Sequence, residues 1–252
     1  MAKHSKSPKP GARGGSAARP RTVGVRDADA TRRRILDAAT EEFSRHGFAG
    51  ARVERISRGA QSYDRMLYYH FGNKAALFGV VLDEAYARLW EAESALDLAH
   101  TEPEAGMREL VAFTWRYFVE HPEFIRLLNS ENLQQGRNLR KSFAIGRRSS
   151  PFIATLTDLL DRGASAGTFR RGADPVKLYI TIAALGYFYA ANRYTLSHFL
   201  ARDLMSAGER RHWLQHITEV VLAALRPPPA GAPAKTMSQP LTKAPRRRLN
   251  RS

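Results

Sequence analysis

The sequence predicts an all-α protein in which a small three-helix, helix-turn-helix-like domain precedes a larger helical domain. Three observations carry that reading. Apolar residues recur at three- and four-residue spacing through most of residues 30–225. Proline and glycine fall where such helices would start and stop. No segment alternates polar and apolar residues as a strand does.

The first helix is expected from about Ala30 to His46, with Ile35, Ala39 and Phe43 on one stripe and Leu36 beside them. Asp27 or Asp29 is placed to cap its start. Gly47 suits the left-handed position that ends a helix, and Phe48 can fold back on the last turn. Two short helices follow, about Arg52 to Ala60 and Tyr63 to His70. Asn73 is placed to cap a longer helix from Lys74 to about Leu98, carrying Leu77, Val81, Tyr86, Leu89 and Trp90.

Further helices are expected over Met107–Glu120, Phe124 to about Leu133, and Pro151–Arg162. Residues 163–172 read as a loop. Asp174-Pro175 is a helix start with proline at its first position, and that helix runs to about Leu200. The last helix covers about Ala207–Leu225.

Both ends differ in composition. Residues 1–28 and 227–252 are rich in Lys, Arg, Gly, Pro, Ser and Ala, too poor in large apolar groups to offset ordering entropy, and are expected to be disordered. Residues 29–73 and 74–226 are the expected domains. The formal net charge of +16 points to a polyanionic partner, but the tails hold most of it. Residues 1–30 carry seven basic residues against two acids, and residues 227–252 carry six against none. DNA binding must therefore be argued from a motif.

The motif lies between Val53 and Phe71. Ile35, Leu36, Phe43, Val53, Ile56, Leu67 and Phe71 can form one small core. Arg52, Arg55, Ser62, Tyr63, Asp64, Arg65, Tyr68, Tyr69 and His70 would then be left for DNA, with Lys74 at the start of the next helix. Arginine pairs bidentately with guanine, so Arg65 is the first choice for a base contact. Helix dipole and ammonium both favour a phosphate at Lys74.

The string Ile35-Leu36-Asp37-Ala38-Ala39, then Phe43, Gly47-Phe48, Val53, Ile56, Leu67-Tyr68-Tyr69-His70-Phe71, Lys74 and Leu77, resembles the TetR family of bacterial repressors. The match covers about residues 31–80. The resemblance implies that residues 63–69 form the recognition helix and that Tyr68 and Tyr69 approach phosphates or bases. It implies a homodimer through the last two helices, about 175–200 and 207–225, reading a palindrome of double-stranded operator DNA. It also implies release by a small molecule bound in the second domain. Three positions depart from the family pattern. Gln61 stands where glycine is usual at a positive φ, Tyr63 where Ser, Thr or Asn caps, and Ala51-Arg52 where threonine precedes the second helix. Ser62 is the alternative cap, and Asp64 puts an acid on the expected DNA face.

The helix after Pro175 is apolar on two sides. Val176, Ile180, Ala183, Tyr187 and Tyr194 form one stripe, and Leu178, Ile182, Leu185, Tyr189 and Leu196 another, so it needs two partners. Candidate effector contacts are Trp115, Phe118, Asn129, Asn132, Arg137, Phe152, Tyr187 and Asn192. Arg137 or Arg193 could pair a carboxylate, which favours an aromatic or heteroaromatic acid.

The absence of cysteine excludes disulfides and thiolate chemistry. His212 and His216 share a helix face, but no glutamate follows His212, so the zinc-protease pattern is missing. No enzymatic constellation, metal or cofactor is expected. No signal peptide or membrane span is legible, so the protein is expected in the cytoplasm. A helix-turn-helix protein without an effector, acting architecturally or through protein partners, is the competing reading.

Overall fold

A computed structural model describes residues 23–139 and 151–228. These residues form nine helices and no strand: α1 Val23–Gly50, α2 Val53–Gly59, α3 Asp64–Phe71, α4 Lys74–Ser94, α5 Pro103–Glu120, α6 Pro122–Leu133, α7 Pro151–Ser165, α8 Pro175–Phe199 and α9 Ala207–Leu225. No described helix is long and apolar enough to cross a membrane.

Helix ends follow their local chemistry. The Asn73 side chain accepts from the Ala76 N–H at 2.8 Å and starts α4. Asp174 accepts from the Val176 and Lys177 N–H groups, with Pro175 at the first helical position where no N–H is needed. Those backbone N–H groups hold the Asp174 carboxyl below its usual range. Ser206 caps α9, and Arg170 closes its other end, Nε donating to the Ala224 carbonyl and the backbone N–H to that of Leu225.

One end departs from expectation. α1 begins at Val23, so residues 23–28 are helical rather than disordered, and Asp27 and Asp29 lie within the helix instead of capping it. The expectations for residues 1–22, 140–150 and 229–252 lie outside the described residues. α1 does break at Gly47 (φ 65°, ψ 176°), a backbone conformation that glycine adopts without steric cost. Phe48 then returns to the helix and stacks on Phe43, ring centroids 6.3 Å apart.

The chain divides into two compact units that do not coincide with the spans 29–73 and 74–226. Among the described residues one unit comprises 23–92 and 117–139, the other 93–116 and 151–228. In the first, Ile35, Leu36, Phe43, Ile56, Leu67, Leu77 and Phe78 are fully buried. The reason it reaches past residue 73 is α6, which packs along α1 and buries Phe124, Ile125 and Leu127. The Phe48 N–H donates to Ser130 Oγ of α6 at 2.7 Å.

In the second unit, Met107 and Leu110 of α5, Leu156 and Leu159 of α7, Leu178 and Ile182 of α8, and Ile217 and Val221 of α9 are buried. Trp115 meets Tyr189 edge-on at 5.2 Å, and Tyr189 stacks on Trp213 at 4.7 Å. α7 runs on past Arg162 to Ser165, and Gly163 carries no side chain because the Phe169 ring folds over it where a Cβ would sit.

Candidate nucleic-acid interface

The site is built from α2, its turn and α3. Glu42, on the buried side of α1, anchors α2. It accepts the Arg52 backbone N–H at 2.9 Å and the Arg55 guanidinium at 2.6 Å. Burial pushes the Glu42 carboxyl up. The hydrogen bonds from Arg55 and Arg52, with the charges of Arg55 and His46, outweigh burial and hold it below the usual range. Arg55 also donates to the Gly50 carbonyl, so it is turned to structure rather than outward for DNA. The Arg52 side chain remains exposed.

The turn brings the two helices into register. Gln61 takes φ +50°, as expected of a residue standing where glycine is usual. The Ser62 N–H donates to the Ser57 carbonyl, and Ser62 does not cap. Tyr63 holds the cap position with extended backbone and no side-chain cap, so α3 starts at Asp64. Asp64 lies in the first turn, where its charge complements the helix dipole.

Leu67 and Phe71 face the core and set the rotation of α3. Its outer face carries Tyr63, 74% exposed, and Tyr69, 79% exposed, with Asp64, Arg65 and Tyr68 also exposed. Arg65 lies over the Tyr63 ring, 5.8 Å from the centroid. His70 is not on that face: it is half-buried, its ring edge against Tyr69, and its Nε2 has no partner among the described residues. Lys74 sits over the Phe48 ring at 5.0 Å. Burial and the Arg55 charge lower its pKa against the opposing pull of Glu42 and Glu54.

The expected effector contacts are divided between the two units. Phe118, Asn129, Asn132 and Arg137 belong to the first unit, and Trp115, Phe152, Tyr187 and Asn192 to the second. Trp115, Phe118 and Phe152 are buried, while Asn132 and Arg137 are exposed. Asn192 donates to the Phe188 carbonyl. Arg193 is buried and turned inward, donating to the Ala190 carbonyl at 2.7 Å and the Tyr194 hydroxyl at 2.9 Å. A cavity of about 410 Å³ lies on α8 and α9, lined by residues that include Phe188, Leu196, Leu200, His212, Trp213 and His216, and by none of the eight.

Two acids escaped sequence reasoning. Glu42 falls between Ala39, Phe43 and His46, and Glu93 follows Tyr86, Leu89 and Trp90 at helical spacing. The signal in each case is an acid on an apolar stripe. Both are buried, Glu93 without a partner among the described residues.

Comparison with known proteins agrees with this geometry. The family described as "Bacterial regulatory proteins, tetR family" matches residues 35–81, and "Tetracyclin repressor-like, C-terminal domain" matches residues 103–221. The chain is 45% identical over 208 residues to the HTH-type transcriptional repressor NicS of Pseudomonas putida, covering 82% of this chain and 98% of that one. It is 37% identical over 120 residues to the HTH-type transcriptional repressor SCO4008 of Streptomyces coelicolor, covering 45% of this chain and 56% of that one. The crystal structure of SCO4942 from Streptomyces coelicolor superposes with a TM-score of 0.57 at 26% identity, over 75% of this chain and 97% of that one. With both parts of its sequence matched and most of its length shared with NicS, the chain belongs to the TetR family of bacterial regulatory proteins.

Proposed function

We propose that the protein is a cytoplasmic, homodimeric repressor that holds a palindromic operator through α3 and releases it when a small molecule binds the second unit. The outward face of α3 carries this reading: a rigid core turns Tyr63, Arg65, Tyr68 and Tyr69 into solvent together. Three tyrosines exposed together on one short segment form the kind of contiguous patch that marks an interaction surface. The assigned roles are a guanine contact for Arg65, phosphate or base contacts for Tyr63, Tyr68 and Tyr69, and phosphate contacts for Arg52 and Lys74. Asp64 would accept from a cytosine amine. Repression follows the likeness to NicS, a transcriptional repressor.

Dimerisation is supported by α8. Leu178, Ile182 and Tyr189 are buried in their own unit, whereas Val176, Ile180 and Phe188 are 51%, 58% and 59% exposed. A second copy covering that stripe and the adjoining face of α9 would form a four-helix interface. Aromatic density in the second unit supports a flat effector. An aromatic or heteroaromatic acid remains our choice, with Arg193 removed from the carboxylate contact because it is satisfied internally.

Sedimentation equilibrium and a mobility shift on the upstream DNA test this reading together. A dimer that binds DNA and is released by a small aromatic compound supports it. DNA binding that no such compound relieves favours the effector-free alternative.

A further inference from the structure

The last turn of α4 places a carboxyl group where the fold gives it nothing to do. Glu93 is 4% exposed, and neither of its oxygens has a hydrogen-bond partner among the described residues. Burying an unpaired carboxyl is expensive, and such groups are nearly always satisfied in folded proteins. Leucine or methionine at this point of an apolar stripe would fill the space at no such cost.

The surroundings are aromatic. Tyr179 of α8 stands close enough for its phenol to feel the Glu93 charge, and Phe152 of α7 meets Tyr179 edge-on at 5.1 Å. The chain just beyond Glu93 is pinned. Arg162 donates to the Leu98 carbonyl at 2.7 Å and the Thr101 carbonyl at 2.6 Å. Burial alone pushes the Glu93 carboxyl up to about 7. No ion pair to Glu93 is formed among the described residues.

We propose that Glu93 is the hydrogen-bond acceptor that holds the effector, and that the effector carries an N–H or O–H donor on a flat ring. This rests on the effector-release reading above. It adds the polar atom that fixes orientation and narrows the ligand class to donor-bearing aromatic molecules. It also gives the ligand a grip on α4, the helix that begins at Lys74.

The test uses the full chain, two substitutions and matched probes. Benzamide and phenol present donors; methyl benzoate and anisole are their donor-free counterparts. Without ligand, Glu93→Leu should raise the melting temperature by about 3 °C, because it removes an unpaired buried carboxyl. Benzamide or phenol at millimolar concentration should raise the wild-type melting temperature and leave Glu93→Leu unmoved, with the donor-free probes inactive on both. Glu93→Gln keeps an acceptor oxygen and should keep part of the shift.

A lower melting temperature for ligand-free Glu93→Leu and Glu93→Gln would overturn the proposal, since it would mean that Glu93 has a structural partner. Equal shifts in wild type and Glu93→Leu, or no shift of the wild type by either donor probe, would also overturn it. If donor probes bind through Glu93 but leave DNA bound, the effector-release reading falls while the ligand site stands. If a donor-free compound releases DNA from wild type and Glu93→Leu alike, the reverse holds.

Discussion

Glu42 on α1 and Arg55 on α2 meet at 2.6 Å, and the same carboxylate takes the Arg52 backbone N–H at the start of α2. This one acid orients the helix that supports α3. Replacing Glu42 with Gln should cost about 2 kcal/mol, at the low side for a buried pair because Arg55 keeps over a third of its side-chain surface in water. DNA affinity should fall in parallel. Urea denaturation and a binding titration on the same samples check this. The carboxyl is held below its unfolded value, so its contribution is present above the unfolded pKa and is lost as pH falls through the folded one. Acid should therefore narrow the difference between Glu42→Gln and wild type.

Gln61 is strained at φ +50°. Gln61→Gly relieves a cost of about 1–2 kcal/mol, partly offset by the greater freedom of glycine in the unfolded chain. A net gain of about 0.5 kcal/mol is expected, seen as a small rise in melting temperature with operator affinity unchanged. A lower melting temperature would show that the Gln61 side chain contributes more than its backbone costs.

Arg65 and Lys74 should separate by the kind of loss. Lys74→Ala should weaken binding to all DNA alike and lower the slope of log K against log salt by about 1. Arg65→Ala should cost about 1–3 kcal/mol on the operator and relax sequence preference at one position of each half-site. Titrations at several salt concentrations, on operator and scrambled DNA, distinguish the two.

Glu93 sets a pH signature. Its folded pKa, about 7, lies above the unfolded value, so the native state holds a proton that the unfolded state gives up. Stability should fall as pH rises from about 4.5 to 7 and level off above, with a span of about 3 kcal/mol for a full shift. Relative to wild type, Glu93→Gln should flatten the melting temperature between pH 5 and pH 8. An unchanged profile would remove Glu93 as the titrating group.

Local chemistry was the most legible part of the fold. The expected bounds of α9, the proline start of α8 and the Asn73 cap follow from a residue and its near neighbours, whereas the positive φ at Gln61 is an expectation of the family resemblance. The seven apolar residues expected to form the helix-turn-helix core are all buried, because helical spacing alone decides which side chains share a face. What periodicity cannot carry is contact between distant segments. The packing of α6 on α1 joins residues more than eighty positions apart, and the inward turns of Arg55 and Arg193 depend on acceptors that spacing does not reveal. α1 begins early because residues 23–28 contain no proline and include Val23, Val25 and Ala28, so the helix extends back past Asp29 in spite of Gly24.

The central claim is that the exposed face of α3 reads DNA. Footprinting of the purified full-length chain on the DNA upstream of its own coding region, at moderate salt, tests it most directly. The account predicts protection of a palindrome whose half-sites lie about one helical turn apart or somewhat more, abolished by the double substitution of Arg65 and Tyr69 with alanine. Absence of protection, or protection that survives that substitution unchanged, would contradict it.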